Sequence, residues 1–134
     1  MVQSQARADM TISALARAGG VGVETVRYYQ RRGLMDVPAA VGAIRRYDGD
    51  ALSRLRFIRR SQAAGFTLEE IRELIALDRL EERPKVRALA AARVAALDAR
   101  IAELQEVRDR LARLAKQCGS GSTGPCPIIE AFED

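Results

Sequence analysis

The 134-residue chain contains no histidine and no tryptophan, and lysine occurs only twice. Histidine is the commonest general base and the commonest metal ligand among side chains, so its absence excludes a Ser-His-Asp hydrolase and a His-bound zinc site. Cysteine is nearly as scarce. Cys118 and Cys126 are the whole supply, too few for a disulfide scaffold or a four-thiolate zinc site within one chain. Aromatic residues make up 4% of the chain, which leaves little material for a large aromatic-lined ligand pocket. No apolar run approaches the about 18 residues that a transmembrane helix needs. Nothing near Met1 reads as a signal peptide, so the expectation is a soluble, cytoplasmic protein without membrane attachment.

What is present suits a small globular protein. With 48% hydrophobic and 30% charged residues, the chain can bury a core and is not a disordered tail. Its charge is unevenly spread. Residues 1–66 carry 11 basic and 5 acidic side chains, whereas residues 67–134 carry 11 basic and 13 acidic. Arginine outnumbers lysine 20 to 2, and the planar guanidinium fork matches phosphate oxygens. A GC-biased genome would explain the preference for arginine but not its concentration in one half. A basic half joined to a near-neutral half points to a nucleic-acid module with something appended.

Along the chain, Thr11 is an N-cap candidate followed by Ile12, Leu15 and Ala16 at helical spacing, and Gly19-Gly20 stops that helix. Val23 to Arg32 forms a second helix, with Val23, Val26 and Tyr29 or Gln30 sharing a face and Gly33 as its C-terminal stop. Two short helices about a glycine-bearing turn make a helix-turn-helix, a pattern that is weak by itself. Residues 34–47, broken by Pro38 and Gly42, suit a short hairpin whose second arm carries Arg45, Arg46 and Tyr47. Such a hairpin after a helix-turn-helix reads as a wing. A third helix opens at Asp48 or Gly49 and ends at Gly65; a fourth is capped by Thr67, with Glu69 and Glu70 at its positive end.

From Pro84 to Gln117 the pattern is nearly uninterrupted helix, a rod roughly 50 Å long at about 1.5 Å per residue. Ala90, Val94, Leu97, Ile101 and Leu104 step alternately by four and three, the spacing of a coiled coil. A rod with an uncovered apolar stripe needs a partner, and a second copy of the chain is the simplest; the alternative is a helix folded back on the first half. Gly119 to Pro125 then reads as a loop, and Pro127 to Phe132 as one short apolar turn.

Four strings at these intervals carry a family resemblance: Thr25-Val26-Arg27-Tyr28-Tyr29-Gln30-Arg31-Arg32-Gly33-Leu34, Ile44-Arg45-Arg46-Tyr47, Arg56-Phe57-Ile58, and Ala64 through Ile71. On these residues the chain resembles the MerR family of bacterial transcription regulators over nearly all of residues 11–134. Its wing and its Cys-Pro-Ile-Ile tail look most like the mercury-resistance branch. The resemblance implies a mainly α fold: a winged helix-turn-helix DNA-binding domain, a long coiled-coil dimerisation helix and a short C-terminal metal-binding loop. The corresponding boundaries are a disordered leader over 1–10, the DNA-binding domain over 11–80, the coiled-coil helix over 81–117 and the effector segment over 118–134. It also implies an antiparallel homodimer on double-stranded promoter DNA, acting with RNA polymerase, and no enzymatic activity.

In that reading Thr25 reaches base edges from the second helix, Arg27 forks a guanine or a phosphate, Tyr28 gives its hydroxyl to a phosphate, and Arg45, Arg46 and Tyr47 clamp phosphates from the wing. Arg31, Arg32, Arg59 and Arg60 read equally well as solvated surface. The thiols of Cys118 and Cys126 can converge on one soft ion, since thiolates select mercury(II), copper(I), silver(I) or gold(I). A redox disulfide switch and two unrelated free thiols are the alternatives. Family members that sense divalent ions have a third cysteine near the start of the long helix; here that position falls at Arg83 or Pro84, and neither is a ligand. Copper-sensing relatives lack that cysteine and have a seven-residue loop between two thiols, as here. The expected effector is thus a soft thiophilic metal ion, mercury(II) ranked ahead of copper(I), with a thiol redox sensor or an effector-less repressor as the other readings.

Overall fold

A computed structural model describes residues 9–120 and 124–133. Most of the expected leader and part of the expected loop therefore lie outside the described residues. Among the described residues, six helices and one hairpin follow in order: α1 (Ile12–Ala18), α2 (Val23–Arg31), β1 (Ala40–Val41), β2 (Ile44–Arg45), α3 (Gly49–Ala63), α4 (Leu68–Arg79), α5 (Arg83–Ser120) and α6 (Pro127–Glu133). They fall into two compact units, Met1–Leu89 and Ala90–Asp134.

In the first unit the helix starts are set by local chemistry. Thr11, Asp48 and Thr67 each turn a side-chain oxygen onto a free backbone N–H at the start of α1, α3 and α4. At α4 the bond is reciprocal: the Glu70 carboxylate accepts from the Thr67 N–H while the Thr67 hydroxyl accepts from the Glu70 N–H. Leu15, Val26, Tyr29, Leu55, Ile58 and Ile71 meet in one buried cluster, which welds α1 to α4 into a single body. The closest approach is at Gly19, where a Cβ would stand 2.3 Å from Leu55 Cδ2; α1 and α3 can meet there only because no side chain intervenes.

The hairpin pairs Ala40 with Arg45 and Val41 with Ile44 in antiparallel register. Its base is stitched to the chain's start by a bridge between Met10 and Tyr47, with N–H···O distances of 3.1 and 2.7 Å. Met10, placed in the leader on sequence grounds, thus belongs to the fold: both of its backbone groups are used by Tyr47, and its side chain packs on the core.

After α4 the backbone turns through Glu81, a non-glycine residue in the left-handed region at φ 57°. Glu82 then accepts the first bond of α5 from Val86, and Pro84 occupies the first turn, where no N–H is needed. The 38 residues of α5 make a helix about 57 Å long. In the second unit, Val94, Leu97, Ile101, Leu104, Val107 and Leu111 are all exposed. They form the stripe expected from the sequence, and nothing within the described residues covers it. The helix also runs further than its composition suggested, through Gly119 to Ser120, so Cys118 lies in its last turn and not in a loop.

Candidate nucleic-acid interface and thiol pair

In the first unit, α2 and the hairpin border a groove of about 280 Å³ whose lining includes Thr11, Arg27, Gln30, Ile44 and Arg45. Arg27 comes from the exposed side of α2 and pairs loosely with Glu24 at 3.5 Å. Arg45 comes from β2 and rests its Nε–H on the Pro38 carbonyl at 3.0 Å. Two arginines therefore line one groove from two elements.

Arg46 does not join them. Neighbouring residues of a strand point to opposite faces, and the Arg46 guanidinium lies against the Asp9 carbonyl at 3.4 Å. It lines a separate cavity of about 340 Å³ with Asp48, Arg54 and Arg79. Thr25 and Tyr28 are half-buried on α2. The Tyr28 ring has the Arg31 and Arg32 guanidinium groups at 6.0 and 5.9 Å from its centroid, at the outer limit of cation–π attraction. The two cations thus lie beside the ring of the tyrosine expected to meet a phosphate.

Tyr47 is placed differently from the expectation. Only 3% of it is exposed, its ring sits in the core, and its hydroxyl accepts a hydrogen bond from Gln30 Nε2 at 2.9 Å. Tyr47 borders the same groove as Arg45, but packing in the core and the backbone bridge to Met10 leave almost none of its side chain open to a ligand there. Gln30, which the sequence offers only as the alternative to Tyr29 on the face of Val23 and Val26, makes the contact with its hydroxyl; it also stands three residues after Arg27, on the same side of α2.

The C-terminal end of α2 is held from α4. Arg32 pairs with Glu69 at 2.8 Å, and Arg72 donates to the Arg32 carbonyl, occupying an acceptor that the helix end leaves free. Tyr29 donates its hydroxyl to Gln62 of α3, completing the support.

In the second unit, Cys118 at the end of α5 and Cys126 immediately before α6 bring their Sγ atoms to 3.2 Å. Both are free thiols, Cys118 exposed and Cys126 half-buried. The two differ in acidity. The backbone N–H groups of Ile129 and Ile128, with the Cys118 thiol, stabilise negative charge on Cys126 and hold its pKa below the ordinary thiol value. The hydrogen bond that Cys118 shares with that sulfur, and then the charge there, raise the pKa of Cys118. Of the two, Cys126 is therefore the more acidic thiol. Among the described residues no cluster of three or more Cys, Asp or Glu accompanies them. Two sulfurs this close lie within reach of one ion at metal–sulfur bonds of about 2.3 Å, and the donor set is purely soft.

Comparison with known proteins gives the following. The family model described as MerR HTH family regulatory protein matches residues 10–78, and the one described as MerR, DNA binding, matches residues 52–114. The mercuric resistance operon regulatory protein of Serratia marcescens is 34% identical over 127 residues, covering 93% of this chain and 88% of that protein. The HTH-type transcriptional regulator HmrR of Sinorhizobium medicae is 37% identical over 125 residues, covering 90% and 84%. Among solved structures, the transcription regulator PbrR691 from Ralstonia metallidurans CH34 in complex with lead(II) superposes with a TM-score of 0.65 at 36% identity, covering 92% of this chain and 98% of that one.

Proposed function

The chain belongs to the MerR family of helix-turn-helix transcription regulators, and from that premise we propose that it is a metal-responsive regulator that binds a pseudo-palindromic promoter as a homodimer. It is not an enzyme. Arg27 and Thr25 read base edges, while Tyr28 and Arg45 hold phosphates on either side of the groove between α2 and the hairpin. Arg46 is a weaker contributor, since it faces the other cavity. The exposed stripe of α5 is covered by the same stripe of a second copy, and a two-fold dimer reads two half-sites.

The observation that carries the effector reading is the 3.2 Å approach of the Cys118 and Cys126 sulfurs in a chain that has no histidine and no other cysteine. This pair would hold one soft ion, for which thiolates supply tight, charge-neutralising ligation. Cys126 is already disposed to be a thiolate by the N–H groups behind it, and Cys118 must release its proton when it ligates. Mercury(II) ranks first and copper(I) second: relatives named for mercury resistance share about a third of the residues, whereas the two-cysteine loop without a third cysteine resembles the copper-sensing members of the family. For the ion to switch transcription, it must favour one conformation of the protein–DNA complex over another.

The test is transcription in vitro from a promoter bound by the protein, with a panel of ions. Cys118→Ser and Cys126→Ser should each abolish the metal response and leave DNA affinity unchanged, because both thiols lie outside the basic half. X-ray absorption of the loaded protein should find sulfur neighbours. A double Ser variant that still responds, or an ion with no sulfur around it, overturns the site. A thiol redox sensor is the second reading, favoured by the same sulfur–sulfur approach; it predicts a response to oxidant with no metal present.

A further inference from the structure

We propose that Gln30 is the positioning residue that sets the hairpin against α2, acting through the Tyr47 hydroxyl and not by touching nucleic acid. The inference rests on the reading of α2 and the hairpin as the DNA interface.

A two-point grip, with Arg27 on a helix and Arg45 on a strand, works only if the spacing between the two elements is held. The hairpin cannot hold it alone. Each strand is two residues long, both residues of β2 are exposed, and an isolated hairpin is marginal in water. Its placement must come from ties to the body. The Met10–Tyr47 bridge ties it to the chain's start. Gln30 ties it to α2: one amide N–H goes to the Tyr47 hydroxyl at 2.9 Å and the other to the Asp36 carbonyl at 3.3 Å. Asp36 lies in the segment leaving α2 and Tyr47 at the end of the hairpin, so one amide spans both ends of the excursion.

The acceptor side is rigid. The Tyr47 ring is locked in the core, so its hydroxyl is a fixed point. Both Gln30 donors are engaged, which leaves them no free N–H for a base. Gln30 also lies three residues from Arg27 on the same side of α2 and lines the same groove. Loosening this strut lets the Arg45 side drift relative to Arg27. The affinity lost is then the contribution of Arg45, whereas a merely structural defect would lower folded stability and leave the Arg45 contribution intact.

The experiment uses the full chain, a duplex it selects from a random pool, and a double-mutant cycle. Gln30→Met keeps the stem and removes the donors; Tyr47→Phe keeps the buried ring and removes the acceptor. Each should weaken binding to the selected duplex about 3–10-fold, the range for losing one or two hydrogen bonds, and the two together should be no worse than Gln30→Met alone, which already removes the bond to Tyr47. Arg45→Ala should cost distinctly less in the Gln30→Met background than in the native chain, while Arg27→Ala should cost the same in both. Native-like affinity in both single variants, or an Arg45→Ala cost unchanged by Gln30→Met, overturns the proposal. If the native chain selects no duplex, or if Arg27→Ala and Arg45→Ala are both silent, the DNA-interface reading itself has failed and the proposal falls with it.

Discussion

At Gly19 the backbone dihedral is ordinary, φ −87°, so conformational freedom does not explain the glycine. Space does: a Cβ would overlap Leu55, a fully buried residue of α3. Gly19→Ala should therefore destabilise the first unit by about 1–3 kcal/mol, the cost of overpacking a tight core, as measured by the shift of a denaturant midpoint. A silent substitution would mean that α1 and α3 separate at no cost. Tyr29 and Tyr47 make a related point about buried hydroxyls. Each is placed inward and each hydroxyl has a partner, Gln62 for one and Gln30 for the other, because an unpaired buried hydroxyl costs more than the bond contributes. Tyr29 was legible as core from helical periodicity. Tyr47 was not, because one tyrosine at the end of a short strand has the same local pattern whether it faces in or out.

Among the elements, the hairpin separates two arginines that are neighbours in sequence. Arg45 shares the groove with Arg27, and Arg46 faces Asp9 and the second cavity. Arg45→Ala should thus reduce the slope of log affinity against log salt by about 0.9, the value for one neutralised phosphate, with equal loss on all sequences; Arg46→Ala should change that slope less. Equal effects at the two positions would show that the strand does not keep its alternation on DNA. For α5 the difference from the sequence reading is one of length. Glycine at 119 lowers helix propensity by about 1 kcal/mol, which argued for an end at Gln117, yet the helix continues to Ser120. The consequence is local but chemical: Cys118 is presented by a helix turn, and Cys126 comes to it from the segment that caps α6.

For the whole molecule, the decisive feature is the uncovered stripe of α5. Among the described residues, six large apolar side chains from Val94 to Leu111 stand exposed, Ile101 at 56%, and a helix with such an apolar stripe gains its stability by packing that face against another surface. Self-association would remove that surface. Leu97→Asp places a charge where the seam should be and should dissociate the dimer or unfold the chain, read by sedimentation velocity together with circular dichroism. A native chain that is monomeric and fully folded at micromolar concentration would show that the stripe finds another cover.

The family, the helix-turn-helix with its wing, the order of the helices and the presence of a lone thiol pair could all be read from the chain, for a physical reason. Caps such as Thr11 and Thr67, stops such as Gly33, apolar periodicity and charge balance act within a few residues, so they are written locally. Tertiary structure alone decided which side each hairpin arginine faces, that Tyr47 is buried under Gln30, that Met10 is stitched to Tyr47, and that Cys118 and Cys126 stand 3.2 Å apart. Each of these depends on partners that are distant in sequence, and a side chain's neighbours across such a gap are set by packing of the whole unit, which no local pattern contains.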